Sequence, residues 1–213
     1  MLKNHKRTLI ITSIITILPI LIGVFFWKSL PDVMATHFGI HNEANGFSSK
    51  AITVFGIPLF LLALLWIGAV VTAHDPRKQN ISPKMFSLVL WIVPLVSLFG
   101  AATVYPYNLG YHVNISFVSE LLMGVLLIVI GNYLPKARQN YTIGIKIPWT
   151  LDNEENWNRT HRFAGFLWLI CGFLLVIMAL CGVENALWLI LLLAVFVICP
   201  IVYSYWLHVK RGL

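Results

Sequence analysis

The chain is short of charge. Only 11% of its 213 residues are Asp, Glu, Lys or Arg, where an ordinary soluble domain carries about 25%. Acidic groups are the scarcer sign, with 8 Asp and Glu against 15 Lys and Arg and a formal charge of +7. Because 59% of the residues are hydrophobic, a compact soluble fold would run out of polar side chains to cover its surface. This excludes an ordinary cytosolic enzyme and a disordered tail, and it favours an integral membrane protein. Cysteine is also scarce. Cys171, Cys181 and Cys199 all lie in apolar runs, and an odd count there excludes a disulfide framework and reads as small apolar filler. The sequence has no Gly-rich phosphate loop, no nucleophile elbow and no HExxH pair. It has no low-complexity segment, and no internal repeat of the kind that marks an inverted-repeat transporter.

Long apolar runs are what the sequence does have. Thr8–Trp27, Ala51–Ala73, Met85–Tyr105, Val113–Tyr133, Phe163–Gly182 and Ala186–Leu207 contain 20, 23, 21, 21, 20 and 22 residues. About 20 apolar residues cross a ~30 Å hydrocarbon core. In lipid each such run must be helical, since every backbone N–H and C=O needs an internal partner. The expected fold is therefore all-α, an integral membrane bundle of six transmembrane helices. The first run follows Lys3, Lys6 and Arg7, but it is long for a signal-peptide core and no A-x-A site follows it, so it reads as an uncleaved first helix.

Charge position sets the expected orientation. With the N-terminus inside, the inner segments carry Lys3, Lys6, Arg7, Arg77, Lys78, Lys84, Lys136, Arg138, Lys146, Arg159, Arg162, Lys210 and Arg211, and the outer ones only Lys28 and Lys50. Such a bias places both termini in the cytoplasm. It also accounts for the net charge without direct nucleic-acid binding. Trp27, Tyr105, Tyr107, Tyr111 and Trp188 then fall near the outer interface, and Tyr133, Tyr203, Tyr205 and Trp206 near the inner one. Two connections are long, an outer loop over 28–50 and an inner loop over 134–162. The expected division is an N-terminal module over 1–83, with helices one and two and the outer loop, and a second region over 84–213, with helices three to six and the inner loop.

Few residues stand out chemically. Glu120 is the one carboxylate inside a span, where a charge costs roughly 2.5–3.5 kcal/mol at mid-membrane. It reads either as a polar site among the helices or as a carboxylate reaching the outer headgroups. His37 and His41 have helical i,i+4 spacing, yet no third ligand sits at a diagnostic distance, so no metal site and no cofactor is expected. Glu154, Glu155 and His161 form a weak candidate acid–base set, more simply read as caps and solvated charges. Within the inner loop, Pro148 directs Ile147 to extended backbone, Gly144 permits a turn, and Asp152 to Glu155 with Trp157 and Thr160 could open a short interfacial helix. Trp149 and Trp157 lie outside the apolar runs and read as anchors at the membrane surface.

The inner loop also carries a resemblance. Its residues Gly131-Asn132, Lys136, Arg138, Asn140, Gly144-Ile145, Pro148-Trp149-Thr150-Leu151, Trp157, Thr160-His161-Arg162 and Gly165 resemble the signature of the SdpI family, bacterial membrane proteins linked to bacteriocin immunity. One departure is Lys146 where the family usually has Arg; the charge is kept but the planar bidentate fork is lost. The outer loop, with Leu30-Pro31-Asp32, His37-Phe38 and Asn45-Gly46-Phe47-Ser48-Ser49-Lys50, resembles the N-terminal module of unknown function that commonly precedes that signature. Ala35, Asn42, Ala44 and Asn45 stand where its pattern prefers Pro, Gly, Pro and Asp.

The resemblance implies a non-enzymatic protein of the bacterial cell membrane that gives immunity to a secreted, membrane-active peptide toxin met on the outer face. It further implies capture of a cytosolic helix-turn-helix repressor on the inner face. Candidate contact residues for a partner or lipid are Asn132, Arg138, Asn140, Gly144, Lys146, Pro148, Trp149, Thr150, Trp157, Thr160, His161 and Arg162 inside, and Pro31, Asp32, His37, Gly46 and Lys50 outside. The alternatives are a small transporter or exporter working through Glu120, and an interfacial enzyme acting on a phosphate-bearing lipid through Arg138, Lys146, Arg159, Arg162 and His161.

Overall fold

The computed structural model describes every residue except 40, 184 and 185, and the backbone alone at Ala186. Its elements are α1 (Lys6–Phe25), the strands β1 (Val33–Phe38) and β2 (Ala44–Ser49), α2 (Ile57–Ala73), α3 (Pro83–Asn108), α4 (Ile115–Tyr133), α5 (Pro148–Asp152), α6 (Glu154–Leu180) and α7 (Ala186–Arg211). A π-helical turn, Ile52–Gly56, leads into α2. Among the described residues, six helical stretches are long and apolar enough to cross a membrane: Leu2–Phe25, Ile52–Ala73, Pro83–Asn108, Ile115–Lys136, Glu154–Leu180 and Leu187–Arg211. The expected all-α membrane class with six spans is the observed one, with a hairpin that the apolar runs do not announce. The chain forms two compact units, Met1–Ala73 with Phe86–Ser116, and His74–Met85 with Phe117–Leu213.

In the first unit the polar groups of the spans are consumed by carbonyls, as hydrocarbon requires. Thr12 and Thr16 are buried and return their hydroxyls to Thr8 O and Thr12 O. Ser97 of α3 donates to Thr16 O at 2.7 Å, and Tyr105 donates to Pro19 O at 3.0 Å. Gly23 lets α1 approach closely: a Cβ there would lie 2.6 Å from Val54 Cγ1 and 2.9 Å from Tyr105 Oη. Leu30, Met34, Val54 and Tyr105 form the buried cluster beneath the hairpin.

The second unit rests on contact between the backbones of α4 and α6. A Cβ on Gly124 would lie 2.9 Å from Gly172 O, and one on Gly172 2.7 Å from Gly124 O. Gly131 and Gly165 repeat the reciprocal contact at 2.9 and 2.7 Å. Each helix thus places two glycines two turns apart on one face, which lets the axes come closer than any side chain would allow. Beside this seam Leu127, Cys171 and Leu175 are buried, with Trp168 and Phe196 packed against them. The Trp168 indole also donates to Phe196 O at 2.9 Å, joining α6 to α7.

The polar stretch before the fifth apolar run is not a separate interfacial helix. α6 starts at Glu154 and runs unbroken into the span. Asn153 caps it by accepting the Asn156 N–H at 3.0 Å, and Glu154 and Glu155 complement the dipole of the first turn. Trp157 therefore lies inside the fifth long helix. The separate short helix is α5, opened by Pro148 after an extended Ile147 (φ −118°, ψ 159°).

Candidate functional site

The inner loop folds as a hydrogen-bonded cage. Asn140 is 2% exposed. Its carboxamide oxygen accepts the N–H groups of Thr142 (2.9 Å) and Ile143 (2.7 Å). Its amide nitrogen donates to Arg138 O (2.8 Å) and Ile143 O (3.0 Å). This one side chain replaces the strand or helix partners that the turn lacks. The neighbouring Gln139 donates to Thr150 O and Leu151 O, each at 2.8 Å, and so ties the turn to α5.

A second segment holds the same turn. Asp75, in the connector between α2 and α3, is also 2% exposed. One carboxylate oxygen accepts the Arg77 N–H at 2.7 Å; the other accepts the Tyr141 N–H and the Thr142 hydroxyl, each at 2.9 Å. Arg77 donates to the Gln139 side chain and lies 5.0 Å from the Tyr141 ring centroid. Asn80 donates to Gln139 O at 2.7 Å. A buried carboxylate is tolerated when its lone pairs are filled, as here.

Gly144 sits where only glycine fits. Its φ is +125°, and an added Cβ would strike His161 and approach Trp157 Cη2 to 2.9 Å. The next residue, Ile145, donates its N–H to His161 Nε2 at 3.0 Å, and His161 Nδ1 lies 2.8 Å from Trp157 O. Nε2 must then be the acceptor and Nδ1 the donor, which is the neutral imidazole. Trp157 stacks on that imidazole at 4.0 Å between centroids and donates its indole N–H to Ala137 O at 2.7 Å. Thr150 closes the far side by donating to Ile145 O and Ile147 O and accepting the Ile147 N–H. Beneath it Asn156 accepts hydroxyls from Thr160 (3.0 Å) and Ser204 (2.6 Å) and donates to Ser204 O (3.0 Å), joining α6 to α7.

The candidate residues of the inner loop thus separate into two groups. Asn140, Thr150, Trp157, Thr160 and His161 are buried and committed to the cage, and Gly144 is fixed within it. Asn132, Arg138, Lys146, Pro148 and Arg162 are exposed. Lys146 reaches back to Thr142 O at 3.0 Å. Trp149 packs between these groups, against Tyr205 and His208 of α7, with its indole N–H buried and unpartnered among the described residues. Trp157 is a core residue rather than a membrane-surface anchor. Glu154 and Glu155 are exposed, and Glu155 pairs with Arg159; the acid–base set does not assemble around His161. Among the described residues, no group of three or more His, Cys, Asp and Glu side chains is placed to hold a metal. Glu120 lies partly buried in α4.

The outer loop is an antiparallel hairpin pairing Val33 with Ser49, Met34 with Ser48, Ala35 with Phe47, His37 with Gly46 and Phe38 with Ala44. Gly46 is required because a Cβ would lie 2.7 Å from that of His37. Asn42, where the family pattern prefers Gly, holds φ +63°, a left-handed conformation that Asn tolerates. Its side chain accepts the Ser116 N–H at 2.8 Å. Asp32 and Lys50 form an ion pair at 3.0 Å at the base of the hairpin, and Lys50 also donates to Trp27 O at 3.2 Å. Pro31 and His37 are exposed.

Asp75, Gln139, Asn156 and Ser204 were not legible as site residues. The signal for Asp75 was present: a lone acidic residue before proline in an otherwise basic connector. Nothing in the local sequence marks Ser204 or Asn156, whose partners lie 48 residues apart.

Residues 136–204 match the SdpI/YfhL protein family, and residues 14–62 match a domain of unknown function, DUF1648. The chain is 29% identical over 199 residues to the Immunity protein SdpI of Bacillus subtilis (strain 168), a likeness covering 92% of this chain and 91% of that protein. No solved structure matches. The match to the SdpI/YfhL family spans the cage from Lys136 through Ser204 and the match to the domain of unknown function spans most of the hairpin unit's first half, so what this multi-pass bacterial membrane protein is similar to, over both of its long loops, is the SdpI type of protein.

Proposed function

We propose that the chain protects the bacterial membrane against a secreted, membrane-active peptide toxin. The observation that carries this reading is the likeness to an immunity protein along 92% of the chain. In the same reading both termini are cytoplasmic, the module over 1–83 presents the hairpin outside, and the region over 84–213, together with the stretch from Asp75 to Asn80 that holds it, presents the cage inside. Toxin bound outside shifts a two-state equilibrium that alters the inner face, and a cytosolic helix-turn-helix repressor is held there. The inward contact surface is the exposed set Arg138, Tyr141 and Lys146, because the side chains of Asn140, Thr150, Trp157 and His161 are buried and already hydrogen-bonded within the cage.

The test is growth of a toxin-sensitive strain, with and without the chain, under challenge by secreted peptides from toxin-producing bacteria. Protection by the wild type is expected. The double change Arg138→Ala and Lys146→Ala is expected to keep protection while weakening repressor recruitment to membranes about tenfold, the value of one charge-assisted hydrogen bond. Undiminished recruitment by the double variant would remove this surface from the mechanism. Absence of protection by the wild type against every peptide would remove the immunity reading itself.

A further inference from the structure

The two edges of the hairpin are treated differently. Ala35 donates its N–H to Asn108 Oδ1 at 2.8 Å, and its C=O accepts from Asn108 Nδ2 at 2.9 Å. A side-chain carboxamide at the end of α3 thus pairs with the outer edge of β1 as a neighbouring peptide group would. Edge strands left open are a hazard that proteins usually cover or charge.

The register shows what this leaves on the other side. Residues opposite one another in an antiparallel ladder either exchange both main-chain bonds or neither. Ala35 sends both of its groups to Asn108, so the Ala35–Phe47 pair exchanges neither, and Phe47 directs its N–H and C=O away from β1. The Lys50 N–H donates to Asp32 O at 2.8 Å, and this bonded pair fixes the same phase: the Ser49 N–H also points outward. Ser49 O is taken by the Thr53 hydroxyl at 3.1 Å. No turn or loop hydrogen bond takes up the Phe47 N–H or C=O among the described residues. Beside this open edge stands the exposed apolar side chain of Phe47, at 61%, with Val33, at 63%, on the same face one strand further in.

We infer that the β2 edge at Phe47 and Ser49 is a docking edge for an extended apolar peptide, which adds to the hairpin as a third strand. Alternating main-chain donors and acceptors are matched by another main chain and not by a lipid tail, which has neither, and the exposed Phe47 on the edge strand favours an apolar side chain on the incoming strand. The inference rests on the proposed immunity reading for the identity of that peptide, a segment of the secreted toxin.

The full-length chain in lipid nanodiscs is titrated with a fluorescent, end-blocked peptide of alternating valine and threonine, and with the same peptide N-methylated at all inner amides. The unmethylated probe is expected to bind, and the methylated one about tenfold or more weakly. Phe47→Pro removes the outward N–H without touching the internal ladder and is expected to weaken binding of the unmethylated probe by a similar factor, with Phe47→Ala costing less. Equal binding of the two probes, no binding of either, or wild-type binding by Phe47→Pro overturns the proposal. So does a nanodisc population of dimers that Phe47→Pro dissolves, since the edge would then serve a second copy. If Phe47→Pro fails to fold, the methylated and unmethylated probes still decide the matter on the wild type. Probe binding in a chain that protects no cell overturns the immunity reading and leaves the edge standing; protection without probe binding does the reverse.

Discussion

Asp75 shows how much one side chain can organise. Its two oxygens fill three hydrogen bonds, two of them to a loop 66 and 67 residues away. Asp75→Ala would remove the acceptor of the part-buried Tyr141 N–H and leave the Thr142 hydroxyl only the longer contact to Asn140 Oδ1 at 3.3 Å, a loss of about 1 kcal/mol or more. Amide hydrogen exchange at Tyr141 is expected to quicken at least about tenfold in Asp75→Ala, and by less in Asp75→Asn, which keeps one acceptor oxygen. Unchanged exchange at Tyr141 in the alanine variant would mean that Asp75 does not hold the turn. Gly144 was readable as a turn residue. That its missing Cβ makes room for the stacked Trp157–His161 pair was not, because those side chains come from a helix whose start the apolar pattern places too late.

That helix shows the same limit for a whole element. Hydropathy starts the fifth span at Phe163, but backbone hydrogen bonding starts α6 at Glu154, since the Asn153 cap and two acidic residues favour the first turn whatever the hydropathy. Hydropathy reports where lipid begins; capping reports where the helix begins. The α4–α6 seam is likewise invisible to an apolar-run count, because glycine adds little to hydropathy while its missing side chain sets the interaxial distance. Gly172→Leu would drive a side chain into the carbonyl of Gly124, a backbone atom that cannot rotate away. Such overpacking costs about 1–3 kcal/mol or more, so a clearly lowered melting temperature in detergent is expected. Gly68→Leu in α2 is the control: a Cβ there meets nothing within 4 Å, and melting is expected to stay within about a degree or two of the wild type, as for an open surface position. Equal melting of the two variants would argue against the seam.

For the whole molecule, orientation is the main expectation still resting on charge. Asn45 and Arg138 are both exposed, one in the hairpin and one in the inner loop. In intact cells a membrane-impermeant thiol reagent is expected to label Asn45→Cys and to label Arg138→Cys only after permeabilisation, in a background with Cys171, Cys181 and Cys199 replaced. Reversed labelling would invert the topology and move the proposed toxin-facing surface to the other unit.

The sequence by itself determined the membrane class, the six spans, the two loops worth attention and the family resemblance that names their role. It could do so because length, apolar content and charge placement are read against a solvent of known thickness, and because the Pro-Trp-Thr-Leu and Thr-His-Arg stretches are contiguous. Only the tertiary structure decided which signature residues are scaffold and which are surface. Burial and hydrogen-bond saturation depend on partners tens of residues away, such as Asp75 for Tyr141, Ser204 for Asn156 and Asn108 for Ala35. The same distance dependence is why one edge of the hairpin is closed and the other open.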